Sequence, residues 1–167
     1  VSGLVLDVYA IEGACHSCNP GAVIAEASPF SKNRRTVTII DTDAAGGTGV
    51  GKVAMIEVAA LMIGEIVQCY SRRRYDRPQP LSTGLFIERG RPKSLYRPGS
   101  SVDVLLFEPG RTAFSPDIEA NLHRRDVRTR FAEGLGRPLV ETEVLVRSAV
   151  AASKKPESPT GCNRDRS

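Results

Sequence analysis

Short β-branched runs separated by turn-forming residues constrain this chain more than any other feature. Thr36-Val37-Thr38-Ile39-Ile40 has the β-branched density of a central strand and ends at Asp41-Thr42-Asp43. Residues 1–11 have similar content and meet Glu12-Gly13. Gly84-Leu85-Phe86-Ile87-Glu88-Arg89-Gly90 reads as a brief strand between turns, and Val102-Asp103-Val104-Leu105-Leu106-Phe107 as a strand entered from a Pro98-Gly99 turn. Pro138-Leu139-Val140-Glu141-Thr142-Glu143-Val144-Leu145-Val146 reads as the last strand. With 15 Gly and 11 Pro in 167 residues, turns and short strands are favoured over long helices. The expected fold is mainly β, a β-rich α+β arrangement: a single domain of short strands over residues 1–150. From Ala151 onward Ser, Lys, Pro, Asn, Asp and Arg dominate, so residues 151–167 are expected to form a disordered tail.

Composition narrows the partners. The formal charge of +4 is mild, aromatics make up 5% and there is no Trp, so no basic surface interleaved with stacking rings is available for nucleic acid. Arg72-Arg73-Arg74-Tyr75-Asp76-Arg77-Pro78 is a basic loop whose cations suit an anionic headgroup or a carboxylate, although charge runs are usually solvated. Membrane contact is therefore left open. Residues 53–69 hold enough Ala, Met and Leu for a buried helix. Their β-branched content and central Gly64 suit two short strands joined at a bend, and periodicity does not decide between the two. A membrane span is disfavoured there because Glu57, Glu65 and Gln68 would lie in hydrocarbon, where a central carboxylate costs about 2.5–3.5 kcal/mol. The cysteines at 15, 18, 69 and 162 make no dense disulfide framework, and residues 1–7 read as a strand already under way rather than as a targeting stretch. An intracellular, cytoplasmic setting is expected.

Three motifs compete for chemistry. Cys15-His16-Ser17-Cys18 supplies only one Cys-x-x-Cys, so no metal site is expected. A redox role would want a helix N-terminus, whereas Asn19-Pro20-Gly21 reads as a turn. Gly46-Gly47-Thr48-Gly49-Val50-Gly51-Lys52 follows a strand and satisfies most of a phosphate-cradling P-loop, which makes a nucleotide-binding module the alternative function. Val53 stands where that loop needs a hydroxyl for Mg²⁺, and a Gly-rich hairpin turn explains the same residues. His123 lies among charges and reads as a surface residue. The third motif is Tyr96-Arg97-Pro98-Gly99-Ser100-Ser101, where a tight turn places two hydroxyls at the mouth of a buried-type strand.

Taken together, several stretches resemble the phosphatidylserine decarboxylase family. They are Lys52-Val53-Ala54-Met55-Ile56-Glu57-Val58 with Gly64-Glu65-Ile66, then Gly84 to Gly90, then Gly99-Ser100-Ser101-Val102 leading into Leu105-Leu106-Phe107-Glu108. Asn33-Arg34-Arg35 resembles the family's Asn-x-Arg element. The likeness runs from Val1 to about Arg147. Where the family has Leu-Gly-Ser-Thr this chain has Pro98-Gly99-Ser100-Ser101, which is similar to a soluble fungal branch acting on free amino acids such as tryptophan.

The resemblance implies a carboxy-lyase made as a zymogen, with a self-generated pyruvoyl group as cofactor and either phosphatidylserine or a small-molecule amino acid as substrate. Ser100 is then the pyruvoyl precursor and Gly99 the scissile partner, while Ser101 helps position the turn or the bound carboxylate. Ser100 Oγ attacks the Gly99 carbonyl, and a glycine without Cβ lets the backbone bend into that approach. The amide becomes an ester, β-elimination releases the upstream chain as a carboxylate, and hydrolysis of the remaining dehydroalanine leaves the pyruvoyl group and ammonia. The cleaved chains are expected to stay associated. The family's catalytic His precedes a Val-x-Gly, and this chain opens with Val1-Ser2-Gly3, so that His and its Asp partner are expected upstream of Val1. The chain is accordingly expected to be a fragment, the carboxyl-terminal part of the enzyme, inactive by itself. Neither His16 nor His123 matches that motif.

Overall fold

The computed structural model describes residues 1–26, 29–61, 64–97 and 102–154. Its centre is β2 (Arg35–Asp41), in which Val37, Thr38 and Ile40 are all buried. The β-branched density that marks this segment in the sequence reflects its position: β1 (Gly3–Ile11) pairs along one side of β2 and β3 (Lys52–Val58) along the other, both antiparallel. With β5 (Phe86–Ile87) beyond β1 and β7 (Val102–Phe107) beyond β3, the sheet has five strands in the order β5-β1-β2-β3-β7. The register shifts between Val5 and Asp7, so Leu6 bulges out of β1 and Val5 remains turned into the core.

That core gathers Val5, Ile40, Tyr70, Leu81 and Ile87, with Val8, Met55 and Leu85 packed against it. Fully burying one such aliphatic side chain stabilises the fold by about 1.5–3 kcal/mol. Tyr70 brings a hydroxyl into apolar surroundings, and the Glu88 backbone N–H donates to it at 3.0 Å, which satisfies it. Residues 53–69 resolve into two strands, β3 and β4 (Glu65–Gln68), with Gly64 between them. The helical propensity of Ala, Met and Leu loses to pairing partners on both sides of β3. β4 pairs β6 (Ser94–Arg97) in a separate two-stranded sheet. No described helix is long and apolar enough to cross a membrane.

Three expectations need correction. Asn19-Pro20-Gly21 opens a helix, α1 (Pro20–Glu26), rather than a turn. Asn19 Oδ1 accepts the Ala22 N–H at 2.9 Å, and Pro20 sits where a missing N–H costs nothing. A second short helix, α2 (Pro29–Lys32), leads into β2. After β8 (Thr112–Phe114) come α3 (Pro116–Leu122) and α4 (Arg130–Leu135), and residues 138–146 are not a strand. Their polar groups bond to the helix ends instead: Val140 N–H to Leu122 O at 3.3 Å, Thr129 Oγ1 to Leu139 O at 2.9 Å and Asn121 Nδ2 to Thr142 Oγ1 at 3.1 Å. Leu145 and Val146 are 71% and 92% exposed, so the apolar run that suggested a strand meets no sheet edge. The last strand is β9 (Ala151–Ser153), placed by composition in the tail, which pairs β8 through the small residues Ala151 and Ala152.

Candidate active site

The turn that carries Gly99, Ser100 and Ser101 lies outside the described residues, but both of its ends are placed. β3 pairs β7 from Val53 with Phe107 to Val58 with Val102, and β4 pairs β6 from Glu65 with Arg97 to Gln68 with Ser94. The two pairs belong to separate sheets. The chain passes from β3 to β4 through residues 59–64 and from β6 to β7 through residues 98–101, so the candidate cleavage site falls in the connection between the small sheet and an edge strand of the large one.

A polar cluster lies beside these connections. Glu57 and Asp103 are direct cross-strand partners, which puts both carboxylates on one face of the ladder. Glu57 is fully buried, and its Oε2 accepts from Lys93 Nζ at 2.7 Å and Gln68 Nε2 at 2.7 Å. Lys93 also donates to Gln68 Oε1 at 2.8 Å and Ser94 Oγ at 3.2 Å. Gln68 ends β4 and Lys93 directly precedes β6, so these contacts tie the small sheet to β3. The Tyr96 hydroxyl, on β6, donates to Asp103 on β7 and so joins the two strands that flank residues 98–101. Glu57 Oε1 is buried with no hydrogen-bond partner among the described residues.

Burial dominates the proton affinities of this cluster. It lowers the Lys93 ammonium below its ordinary value, against the pull of the Glu57 charge and hydrogen bond. It raises the Tyr96 phenol, helped by the hydrogen bond to Asp103. Burial also raises Asp103, opposed by the Tyr96 hydrogen bond, with the Glu57 charge adding to the rise. A carboxyl raised above its unfolded value of 3.8 binds more protons folded than unfolded, so its contribution to stability declines as pH climbs from about 4 through the raised value. Asp103→Asn keeps an acceptor for Tyr96 and removes the titration. Urea unfolding of the parent and the variant should show the variant gaining on the parent between about pH 4 and about pH 7. A stability difference that is the same at both values contradicts this.

The other motifs fall elsewhere. Residues 46–52 close the antiparallel hairpin between β2 and β3, with no helix after them, which overturns the nucleotide-binding alternative. Their amides are already used: Val50 N–H bonds to Thr42 Oγ1 at 2.8 Å, Gly49 N–H to Thr42 O at 2.8 Å, Gly47 N–H to Ala44 O at 2.8 Å and Thr48 N–H to Ser2 O at 3.0 Å. Gly51 has φ +76, a conformation that a residue with a Cβ adopts only with strain, so glycine suits the turn itself. In the Cys15-His16-Ser17-Cys18 loop, Cys15 and His16 are exposed. Burial raises the Cys18 thiol despite its bond from Asn33, the reverse of what a reactive thiolate needs. Asn33 itself is fully buried and staples this loop to the sheet, donating to His16 O and Ala59 O at 2.8 Å each. His123 is an exposed residue at the end of α3. Sequence reasoning missed the Lys93, Gln68, Tyr96 and Asp103 cluster, although one signal was present. Glu57 is a lone carboxylate in the run Val53-Ala54-Met55-Ile56-Glu57-Val58, where burial demands a cation.

Comparison with known proteins identifies a family. The family profile described as phosphatidylserine decarboxylase matches residues 1–137. A phosphatidylserine decarboxylase proenzyme of Chlamydia felis is 31% identical over 134 residues, 78% of this chain and 39% of that protein. One from Chlamydia caviae is 32% identical over 134 residues, again 78% and 39%. A third, from Desulfitobacterium hafniense, is 31% identical over 117 residues, 70% of this chain and 34% of that protein. The chain thus spans about two-fifths of the length of these curated relatives. No solved structure matches. With the family's residues matched over most of its length and the Gly99-Ser100 pair inside that match, this chain belongs to the phosphatidylserine decarboxylase family.

Proposed function

We propose that the full-length parent is a pyruvoyl-dependent carboxy-lyase that cuts itself between Gly99 and Ser100 and decarboxylates phosphatidylserine, or a related amino acid such as tryptophan, to the amine. The observation that carries this reading is the family match across residues 1–137, which takes in Gly99, Ser100 and Ser101. The relatives' names favour the phospholipid, while Pro98 and Ser101 are the residues that favour a free amino acid.

The surrounding residues suit such a group. Ser100 would carry it at the head of β7, which β3 holds in register from Val102 onward. Glu57 Oε1, with no hydrogen-bond partner among the described residues, and the bonded Tyr96 and Asp103 pair lie on the strands next to residues 98–101 and are groups that can hold protons. Once formed at Ser100, a pyruvoyl group would supply an electrophilic carbonyl and an electron sink for decarboxylation of an amine-bearing substrate. Lys93 and Gln68 keep the Glu57 carboxylate in place, and β6 with β7 fixes the two ends of the turn.

Phenylhydrazine is the direct test, since it adds to a ketone carbonyl. In the purified parent it should add one hydrazone mass to the chain that begins at residue 100 and none to the chain that ends at residue 99. The same preparation should release CO₂ from phosphatidylserine in detergent micelles, and a parallel assay with free amino acids decides between the two substrate classes. A parent that remains one chain, or a chain beginning at residue 100 that does not react, overturns the proposal.

A further inference from the structure

Residues 72–80 are nine consecutive exposed residues, directly after Tyr70 and Ser71, which are buried. They form a backbone-bonded hairpin. Tyr70 bridges Gln79, Arg73 bridges Asp76, the Gln79 N–H bonds to Tyr70 O at 2.9 Å, and the Asp76 N–H bonds to Arg73 O at 3.3 Å. Ser71 Oγ accepts the Arg73 N–H at 3.2 Å and donates to Asp76 O. The stem is fixed to the core through Tyr70, and Ser71 N–H bonds to Pro92 O at 3.1 Å. The cations are thus presented on a rigid support.

What the hairpin presents is Arg72, Arg73, Arg74 and Arg77 with a single aspartate, a local charge of +3 in a chain whose whole charge is +4. None of these four arginines makes an ion pair or a side-chain hydrogen bond with a described residue. Arg34, Arg91, Arg111, Arg124 and Arg128 are all paired. The hairpin is therefore a concentration of uncompensated charge. Tyr75 stands among these arginines, 85% exposed, as an amphipathic ring with nothing to pack on.

Backbone conformation supplies a second observation. Arg74 has φ 63 and Arg77 has φ 48, the left-handed region that glycine or asparagine occupies at less strain. Turns of this kind normally select Gly or Asn. Here both positions hold arginine, so charge is retained where local geometry disfavours the residue that carries it, the pattern expected when strain serves a contact.

We propose that the 71–79 hairpin docks this protein on an anionic lipid surface. Arginines lie within the headgroup potential and Tyr75 sits at the interface, where aromatic rings of this type collect. A plane of negative charge meets a convex, exposed tip without needing a groove. Nucleic acid would want several stacking rings, and the hairpin offers one. The inference goes beyond the lyase reading and does not rest on it.

The test is co-sedimentation of the full-length parent with phosphatidylcholine vesicles, with and without phosphatidylglycerol. This anionic lipid has no serine, so substrate recognition cannot mimic docking, and no turnover is read. Binding should require phosphatidylglycerol and weaken as salt is raised. The double variant Arg72→Gln/Arg73→Gln should lower the partition coefficient about 30-fold, about five-fold for each arginine. Arg74→Asn should raise the urea midpoint, by relieving the backbone, while lowering vesicle binding about five-fold. Circular dichroism establishes that each variant is folded. Unchanged binding by the double variant, equal binding to pure phosphatidylcholine, or arginine-dependent binding to an oligonucleotide without binding to vesicles overturns the proposal. None of those results touches the Gly99-Ser100 reading, and a parent that docks but does not decarboxylate would overturn only the latter.

Discussion

Ser100→Ala in the full-length parent should yield one uncut chain and no measurable release of CO₂. The Oγ of residue 100 is the nucleophile of the proposed cleavage, and the carbon skeleton of that residue becomes the cofactor. One substitution removes both. Removing a catalytic nucleophile lowers rates by about 10⁶-fold in a well-studied protease, and here the electron sink goes with it. Activity should therefore fall to background. Ser101→Ala keeps the nucleophile and should retain some processing, which separates the chemistry of residue 100 from the geometry of the turn. Intact-mass measurement and a CO₂ assay read both. Cleavage of Ser100→Ala at the normal rate would remove Ser100 from the mechanism.

Lys93→Met should be among the most destabilising single substitutions in the chain. The Lys93 side chain is 11% exposed and that of Glu57 is 1% exposed, at a separation of 2.7 Å. Deleting the cation leaves a buried carboxylate facing Gln68 alone, and breaking a buried pair from one side costs about 3–5 kcal/mol. Set against total stabilities of about 5–15 kcal/mol for ordinary domains, that loss would lower the urea midpoint severely. Glu57→Gln/Lys93→Met removes both charges and should recover much of the loss, because the penalty is the orphaned charge more than the absent attraction. A double variant as unstable as Lys93→Met would show that packing around the lysine stem carries the effect.

Much of the sheet was legible because local signals and tertiary demands coincide. Thr36 to Ile40 is β-branched and is also the strand paired on both sides, so propensity and burial agree. Gly64 marks a break, and a break is there. Errors arose where composition stood in for pairing. Residues 138–146 are apolar enough for a strand but meet helix ends, whereas Ala151–Ser153 looked too polar in its surroundings and yet found the free side of β8. Pro20 reads as a turn until the Asn19 side chain is seen to cap the helix behind it. The Gly-rich loop misled for a similar reason. A P-loop and a hairpin share their glycines, and only the direction of the next element tells them apart. The polar cluster was invisible because Lys93 lies 36 residues from Glu57, and no sequence period links the two. Gly99 and Ser100 are singled out by resemblance and chemistry alone and lie outside the described residues, and the structure adds the strands on either side of them.

The strand pairing on either side of residues 98–101 also bears on how the protein can be made. The proposed cut between residues 99 and 100 would assign β6 to the upstream piece and β7 to the downstream piece, while β3, which pairs β7 along six positions, would remain upstream. In an uncut chain, forming the β3 and β7 ladder is a first-order event, at a rate independent of concentration. In a cut one the same pairing would become an encounter between two molecules, subject to dilution and to the aggregation that an unpaired β7 with exposed Leu105 and Leu106 invites. The proposed scission would thus work as a ratchet on assembly: the chain would have to acquire its shape while still continuous, and once severed it would keep a structure that the separated parts would regain only slowly.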